Sequence, residues 1–83
     1  MKILYFARIR QIVGRGSDDI EVPASVTTVS ELMDFLSTRD EGLAAVFADR
    51  RTIRAAVNQS HVQHDASISG AAEVAFFPPV TGG

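Results

Sequence analysis

One main helix is readable in this sequence, and its place between two groups of strands constrains the fold more than any other feature. Thr28-Val29-Ser30-Glu31 has the form of a capping box. The Thr hydroxyl takes one free amide of the first turn, and the Glu carboxylate reaches back to the chain before it. Behind the box, Val29, Leu32, Met33, Phe35 and Leu36 recur at near-helical spacing. The pattern predicts a helix that ends around Arg39 to Gly42. Leu43 to Phe47 is expected to add a short second helical turn.

The flanking segments read as strands. Residues 2 to 9 alternate, with Ile3, Tyr5, Ala7 and Ile9 on one apolar face and Lys2, Leu4, Phe6 and Arg8 on the other. Gly14-Arg15-Gly16-Ser17-Asp18 is turn chemistry. A second strand is expected over Asp19 to Val22, stopped by Pro23 and paired with the first as an antiparallel hairpin. After the helix come Ile53 to Asn58 as a third strand, a turn at Asn58-Gln59-Ser60, and a short edge strand over His61 to His64. Ser69-Gly70 marks another turn. Glu73 to Phe77 is the last strand, and Pro78-Pro79 ends it because neither proline can donate to a sheet ladder.

The order is therefore β-β-α-β-β, with room for one extra small strand. One main helix covers a single face of a sheet. A right-handed crossover through it places the terminal strands side by side and parallel in mid-sheet. The expected class is α+β: a β-grasp, or ubiquitin-like, fold. It has a mixed sheet of four to five strands with one main helix packed on one face. The domain is expected over residues 1–77, followed by a flexible tail over 78–83.

Composition narrows the function. A chain of 83 residues has room for one domain, and 46% hydrophobic residues argue against disorder. A net charge of −2 points to neither nucleic acid nor an anionic membrane. No run approaches a membrane span, and the N-terminal run is too short for a signal peptide, so the expected location is cytoplasmic. There is no cysteine. Thiolate chemistry on this chain is thereby excluded, and sulfur could be carried only on some other group.

The tail Pro78-Pro79-Val80-Thr81-Gly82-Gly83 is the strongest candidate for chemistry. Two prolines hold the exit extended, and two glycines strip side-chain bulk from its tip. Six extended residues span roughly 20 Å, enough to enter a narrow pocket on a partner. The plainer alternative is a frayed end. The adjacent Phe76 and Phe77 must point to opposite sheet faces. If Val74 and Phe76 fill the core, then Phe77, Ala75, Leu4 and Phe6 make an apolar patch at the root of the tail, and such patches mark interfaces.

Other features are weaker. Arg50, Arg51 and Arg54 cluster beside Asp49 and read as a solvated face, with a partner contact as the minority reading. His61 and His64 fall on opposite faces of a strand and lack an obvious third ligand, so no metal site is expected. Gly14-Arg15-Gly16 lacks the third glycine and following helix of a nucleotide loop. Asp18-Asp19 and Asp40-Glu41 read as solvated acid pairs in turns.

The segment from Glu73 through Phe76-Phe77-Pro78-Pro79-Val80-Thr81 to Gly82-Gly83 resembles the C-terminal signature of the small, sulfur-carrier subunits of molybdopterin synthase. Lys2-Ile3-Leu4-Tyr5-Phe6-Ala7, Val13-Gly14 and Ala56-Val57-Asn58-Gln59 extend the resemblance along nearly the whole chain. One departure is that Ala71-Ala72 stand where the family carries Gly-Asp. The resemblance implies that a separate adenylating enzyme, related to the ubiquitin-activating enzymes, uses ATP to activate the Gly83 carboxylate. A sulfur donor protein then converts it to a thiocarboxylate. The tail, with Gly82, Gly83, Val80 and Thr81, is implied to insert into the large subunit of the synthase, in a heterotetramer. There sulfur passes to a cyclic pyranopterin monophosphate, by catalysis that belongs to the large subunit. No permanently bound cofactor is expected. The alternatives are a sulfur carrier for thiamine thiazole synthesis, a ubiquitin-like protein modifier, and an interaction module with an inert tail.

Overall fold

A computed structural model describes residues 1–79. Five strands form one mixed sheet: β1 (Lys2–Tyr5), β2 (Ser17–Asp19), β3 (Arg54–Val57), β4 (Ser60–Val62) and β5 (Glu73–Phe77). Their order across the sheet is β2-β1-β5-β3-β4. β1 and β5 pair in parallel at the centre, with Ile3 beside Val74 and Tyr5 beside Phe76. β3 runs antiparallel to β5, and β4 forms the edge beyond it. The parallel terminal strands and the bounds of β5 agree with the sequence reading; the edge strand is present but runs over Ser60–Val62, so it takes in Ser60 from the expected turn and stops before His64.

The alternation along the central strands decides which face is covered. Ile3, Tyr5, Val74 and Phe76 are buried and point into the core. The helix α2 (Val29–Ser37) presents Val29, Leu32, Met33 and Leu36 to that core, all fully buried. Burial of such side chains stabilises the fold by about 1.5–3 kcal/mol each. Phe35, on the flank of the stripe, is half-buried. The capping box is formed: Thr28 Oγ1 accepts from the Glu31 amide at 3.1 Å, and Glu31 Oε1 accepts from the Thr28 amide at 3.2 Å. The next two amides, of Val29 and Ser30, donate to the Ala66 and His64 carbonyls at 3.0 and 2.8 Å. The loop after β4 is thus tied to the helix start. α3 (Glu41–Val46) follows and buries Leu43 and Val46, with Phe47 beyond it edge-on to Phe76 at 4.9 Å.

The first third of the chain departs from its sequence reading. The strand stops at Tyr5, and residues Ala7–Val13 form a helix, α1. Ile9 fits the strand alternation by coincidence. It is also the first of Ile9, Ile12 and Val13, spaced i, i+3 and i+4 as a helix requires. Ala7 turns the chain with φ +52°, and Gly14 closes the helix at φ +84°, its amide donating to the Arg10 carbonyl at 2.9 Å. β1 and β2 are antiparallel as expected, but a helix rather than a tight hairpin joins them. β2 begins two residues earlier than the sequence suggests, where Tyr5 and Arg15 hold Asp18, and it ends at Asp19, three residues short of the expected Val22, so Pro23 is not what stops it. α2 ends at Ser37, short of the Arg39 to Gly42 expected, where the Ser37 and Thr38 hydroxyls bond back to the Met33 and Phe35 carbonyls.

What holds Asp18 is a clamp of charged groups. The hydroxyl of the buried Tyr5 donates to Asp18 Oδ2 at 2.8 Å. Arg15 donates to both Asp18 oxygens, at 2.7 and 2.8 Å, and to Asp40 Oδ2 at 2.8 Å. Asp40 in turn caps α3 through the Leu43 amide at 2.7 Å. The clamp joins the sheet edge to the helical layer. Arg15 holds the Asp18 carboxyl below its usual range, and the Leu43 amide and Arg15 do the same to Asp40. Burial and the Asp18 contact push the Tyr5 phenol up.

Two predictions follow from this geometry. A carboxyl with a depressed folded-state pKa stabilises the fold above its unfolded pKa and loses that effect as pH falls through the folded value. Asp18→Asn should cost about 1–2 kcal/mol at pH 7 in urea unfolding. The deficit should shrink steadily once pH falls below about 4, the unfolded carboxyl value. A deficit that stays constant down to pH 2 contradicts the clamp. The β3–β4 turn places Asn58 and Gln59 at φ +47° and +72°. Asn58 is fixed there because its Oδ1 accepts from the Ala72 and Glu73 amides at 3.0 and 3.1 Å. Gln59 is exposed and has no such contact among the described residues, so Gln59→Gly should raise stability by about 0.5–1 kcal/mol.

Candidate functional site

With Val74 and Phe76 committed to the core, Glu73, Ala75 and Phe77 must leave β5 on the opposite side. The register extends that side across the sheet. Leu4, Ala75, Ala56 and His61 stand in one row, and Arg54 stands beside Phe77 in the next. No helix covers this face among the described residues. Its centre is nonetheless filled, because Ala75 and Ala56 are only 7% and 6% exposed between larger neighbours. Leu4 and Phe77 are half-buried. The His61 ring lies against Phe77, centroids 5.1 Å apart.

Phe6 reaches the same face by a different route from the one expected. It is no longer inside a strand but caps α1. Its backbone is still extended, with φ −122° and ψ 156°, and its amide donates to the Phe76 carbonyl at 3.1 Å. The parallel ladder therefore runs one step past β1. Phe6 departs on the Leu4 side and is 47% exposed. The turn at Ala7 then carries the chain away, which leaves the Phe6 ring at the rim rather than within the sheet.

The tail starts from this rim. Pro78 and Pro79 are half-buried, and Pro78 lines a small groove in which Ile9, Ile12, Val46 and Ile53 stand beside the polar Arg8, Asp49 and Thr52. Ile12 is among the exposed large apolar residues. The chain thus leaves the sheet between the apolar open face and this mixed groove. Val80, Thr81, Gly82 and Gly83, expected as partner-binding and reactive residues, lie outside the described residues.

The titratable groups set aside in the sequence have structural duties. Asp18 and Asp40 belong to the Arg15 clamp, which no local motif announced because its members are up to 25 positions apart. Arg50 donates to Asp34 at 2.5 Å and to the Ser30 hydroxyl at 3.2 Å. Arg51 pairs with Asp49 at 3.1 Å. His64 Nε2 lies 2.9 Å from the Ile53 carbonyl, while His61 faces Phe77. Among the described residues no three His, Asp or Glu side chains converge on a common point that could hold a metal, and no helix is long and apolar enough to cross a membrane.

A mixed sheet with central parallel terminal strands, a helix across one face and an open opposite face defines a ubiquitin-like β-grasp protein. Residues 3–83 match the ThiS family, and the chain belongs to it. It is 41% identical over 83 residues to the molybdopterin synthase sulfur carrier subunit of Escherichia coli (strain K12), with 100% of this chain and 99% of that one aligned. The Homo sapiens protein of the same name is 34% identical over 86 residues, covering 100% and 93% of the two chains. Among solved structures, SAMP1 from Haloferax volcanii superposes with a TM-score of 0.76 at 26% identity, over 100% and 98% of the chains. A Pyrococcus furiosus protein provisionally named molybdopterin converting factor, subunit 1, gives 0.73 at 31% identity, over 95% of each.

If the open face is a docking surface, a charge there should break association without breaking the fold. Phe77→Asp and Phe6→Asp should each weaken binding to a partner at least tenfold, in the range of interface anchors. Both should melt cooperatively near the wild-type temperature. Unfolding of both variants contradicts the assignment.

Proposed function

We propose that this chain is the sulfur carrier subunit of a molybdopterin synthase, with the Gly83 carboxyl group as the carrier. The observation that supports it most is the match running through Gly83, together with 41% identity over essentially the full length of a chain of that name. The open apolar face at the root of the tail is the second support. The absence of cysteine agrees with a carrier that needs no thiol of its own.

A carboxylate is a poor electrophile, because its charge is delocalised and oxide is not expelled. Adenylation by a separate activating enzyme, at the expense of ATP, gives Gly83 a good leaving group. Attack by sulfide-level sulfur delivered by a donor protein then forms the C–S bond, expels AMP and leaves a thiocarboxylate. The glycines put no side chain in the way of either step. The large subunit of the synthase binds the open face through Phe6, Phe77 and Leu4. It receives Pro78, Pro79, Val80, Thr81, Gly82 and Gly83, supplies the catalytic groups, and directs the sulfur to a cyclic pyranopterin monophosphate. Two copies of each subunit form the assembly by analogy with the family. Water then hydrolyses the acyl–sulfur bond, and the spent chain leaves as a carboxylate, ready for another cycle. No cofactor stays on this subunit.

The test is intact-mass measurement after incubation with ATP, the activating enzyme and a sulfur source. The expected result is the increment for exchange of one carboxyl oxygen for sulfur, located at Gly83 by fragmentation. A chain lacking Gly83 should show no increment and should fail to restore a strain deficient in molybdenum cofactor. Restoration by the truncated chain overturns the proposal. A ladder of conjugates to lysines of many proteins, instead of a thiocarboxylate, points to the modifier role.

A further inference from the structure

The open face carries few charges, and most of them have an opposite charge across the ladder. Lys2 stands between Asp19 on β2 and Glu73 on β5. Asp19 also has the N-terminal ammonium at 3.7 Å. Arg54 is different. Its neighbour on β5 is Phe77, and the β3–β4 register, continued one step beyond Ala55 and Val62, brings Gln63 to its other side. Its guanidinium donates to the carbonyls of Arg51 and Ile53 at 3.2 and 3.4 Å. The neighbouring Arg50 and Arg51 have Asp34 and Asp49 as counter-ions. Arg54 is exposed, and among the described residues it has no carboxylate in ion-pair contact.

This cation sits beside the Phe77 position, where β5 ends and the tail begins. It also lies on the wall of an open groove shared with Arg50, Arg51, His64 and Asp65, a locally cationic spot on a chain of net charge −2. A partner that covers Phe77 removes water from Arg54 too. A desolvated guanidinium without a counter-ion opposes association, and its planar fork is suited to a carboxylate that accepts two hydrogen bonds.

We propose that the partner surface covering the open face presents an Asp or Glu carboxylate to Arg54. The pair forms where the apolar patch of Leu4, Phe6, Ala75 and Phe77 meets the cationic groove. It lies off the centre of the patch, so it fixes the rotation in which the partner sits and hence the direction in which the tail is delivered. The inference rests on the docking role assigned to this face above. It adds the chemistry of the opposing surface and a specificity-determining residue that the apolar patch alone does not supply.

The test measures binding of the synthase large subunit to wild type, Arg54→Ala, Arg54→Glu, Arg54→Lys and Phe77→Asp, at low and high salt. Arg54→Ala should weaken binding about three- to tenfold at low salt, and Arg54→Glu more, chiefly through slower association. The difference should fade by about 0.5 M salt, where screening is strong. Arg54→Lys should recover part of the loss. All Arg54 variants should melt near the wild type, since the side chain is exposed and makes only two long hydrogen bonds to nearby carbonyls among the described residues. If Phe77→Asp weakens binding while Arg54→Glu binds as wild type does, the carboxylate is refuted and the docking face stands. If both bind as wild type does, the docking face is itself refuted.

Discussion

Everything in this domain depends on how β5 is held. It is the last strand among the described residues and the central one in the sheet, paired on both sides by β1 and β3. Its alternation sends Val74 and Phe76 into the core, where both are fully buried. Phe76 then meets Phe47 from the helical layer. Because two adjacent residues cannot share a face, Phe77 has no choice but the other side. The core and the candidate docking face are therefore set by the same five residues. A shift of one position would empty the core and bury the docking face at once.

The helical layer needs its own fastening, and polar groups provide it. α2 is anchored at its N-terminus by its capping box and by two carbonyls of the loop after β4. α1 and α3 are joined to the sheet edge through Arg15, which bridges Asp18 and Asp40. The bridge works because Tyr5 is both a core residue and a hydrogen-bond donor. Its ring is buried, and its hydroxyl emerges where Asp18 can accept. No buried polar side-chain atom among the described residues lacks a partner, so the thin core of a small domain is not weakened by unpaired groups.

The legible parts of the sequence were those whose signal is local. The Thr28 to Glu31 box, the stripe from Val29 to Leu36, the Glu73 to Phe77 strand and the proline stop each lie within a few residues. From them the β-grasp topology followed. Residues 7–13 misled because Ile9 satisfies both a two-residue and a helical period. The deciding features were the turn at Ala7 and the left-handed Gly14, and of these only the glycine was visible in the letters. The Arg15 clamp was illegible for another reason. Asp18 and Asp40 look alike as exposed acids until the fold brings one guanidinium between them. Within the candidate site, parity alone placed Phe77, Ala75 and Leu4. The contact of His61 with Phe77 and the unpaired state of Arg54 required the register.

The central position of β5 also has a mechanical meaning. A partner that grips the tail pulls along the axis of a strand with neighbours on both sides. Such a load falls in shear on two ladders together, so their hydrogen bonds share it instead of parting one after another. An edge strand such as β4, pulled the same way, has one ladder to resist it. The domain can thus be drawn against a partner, or tugged free of one, by its last residues without being unravelled from that end.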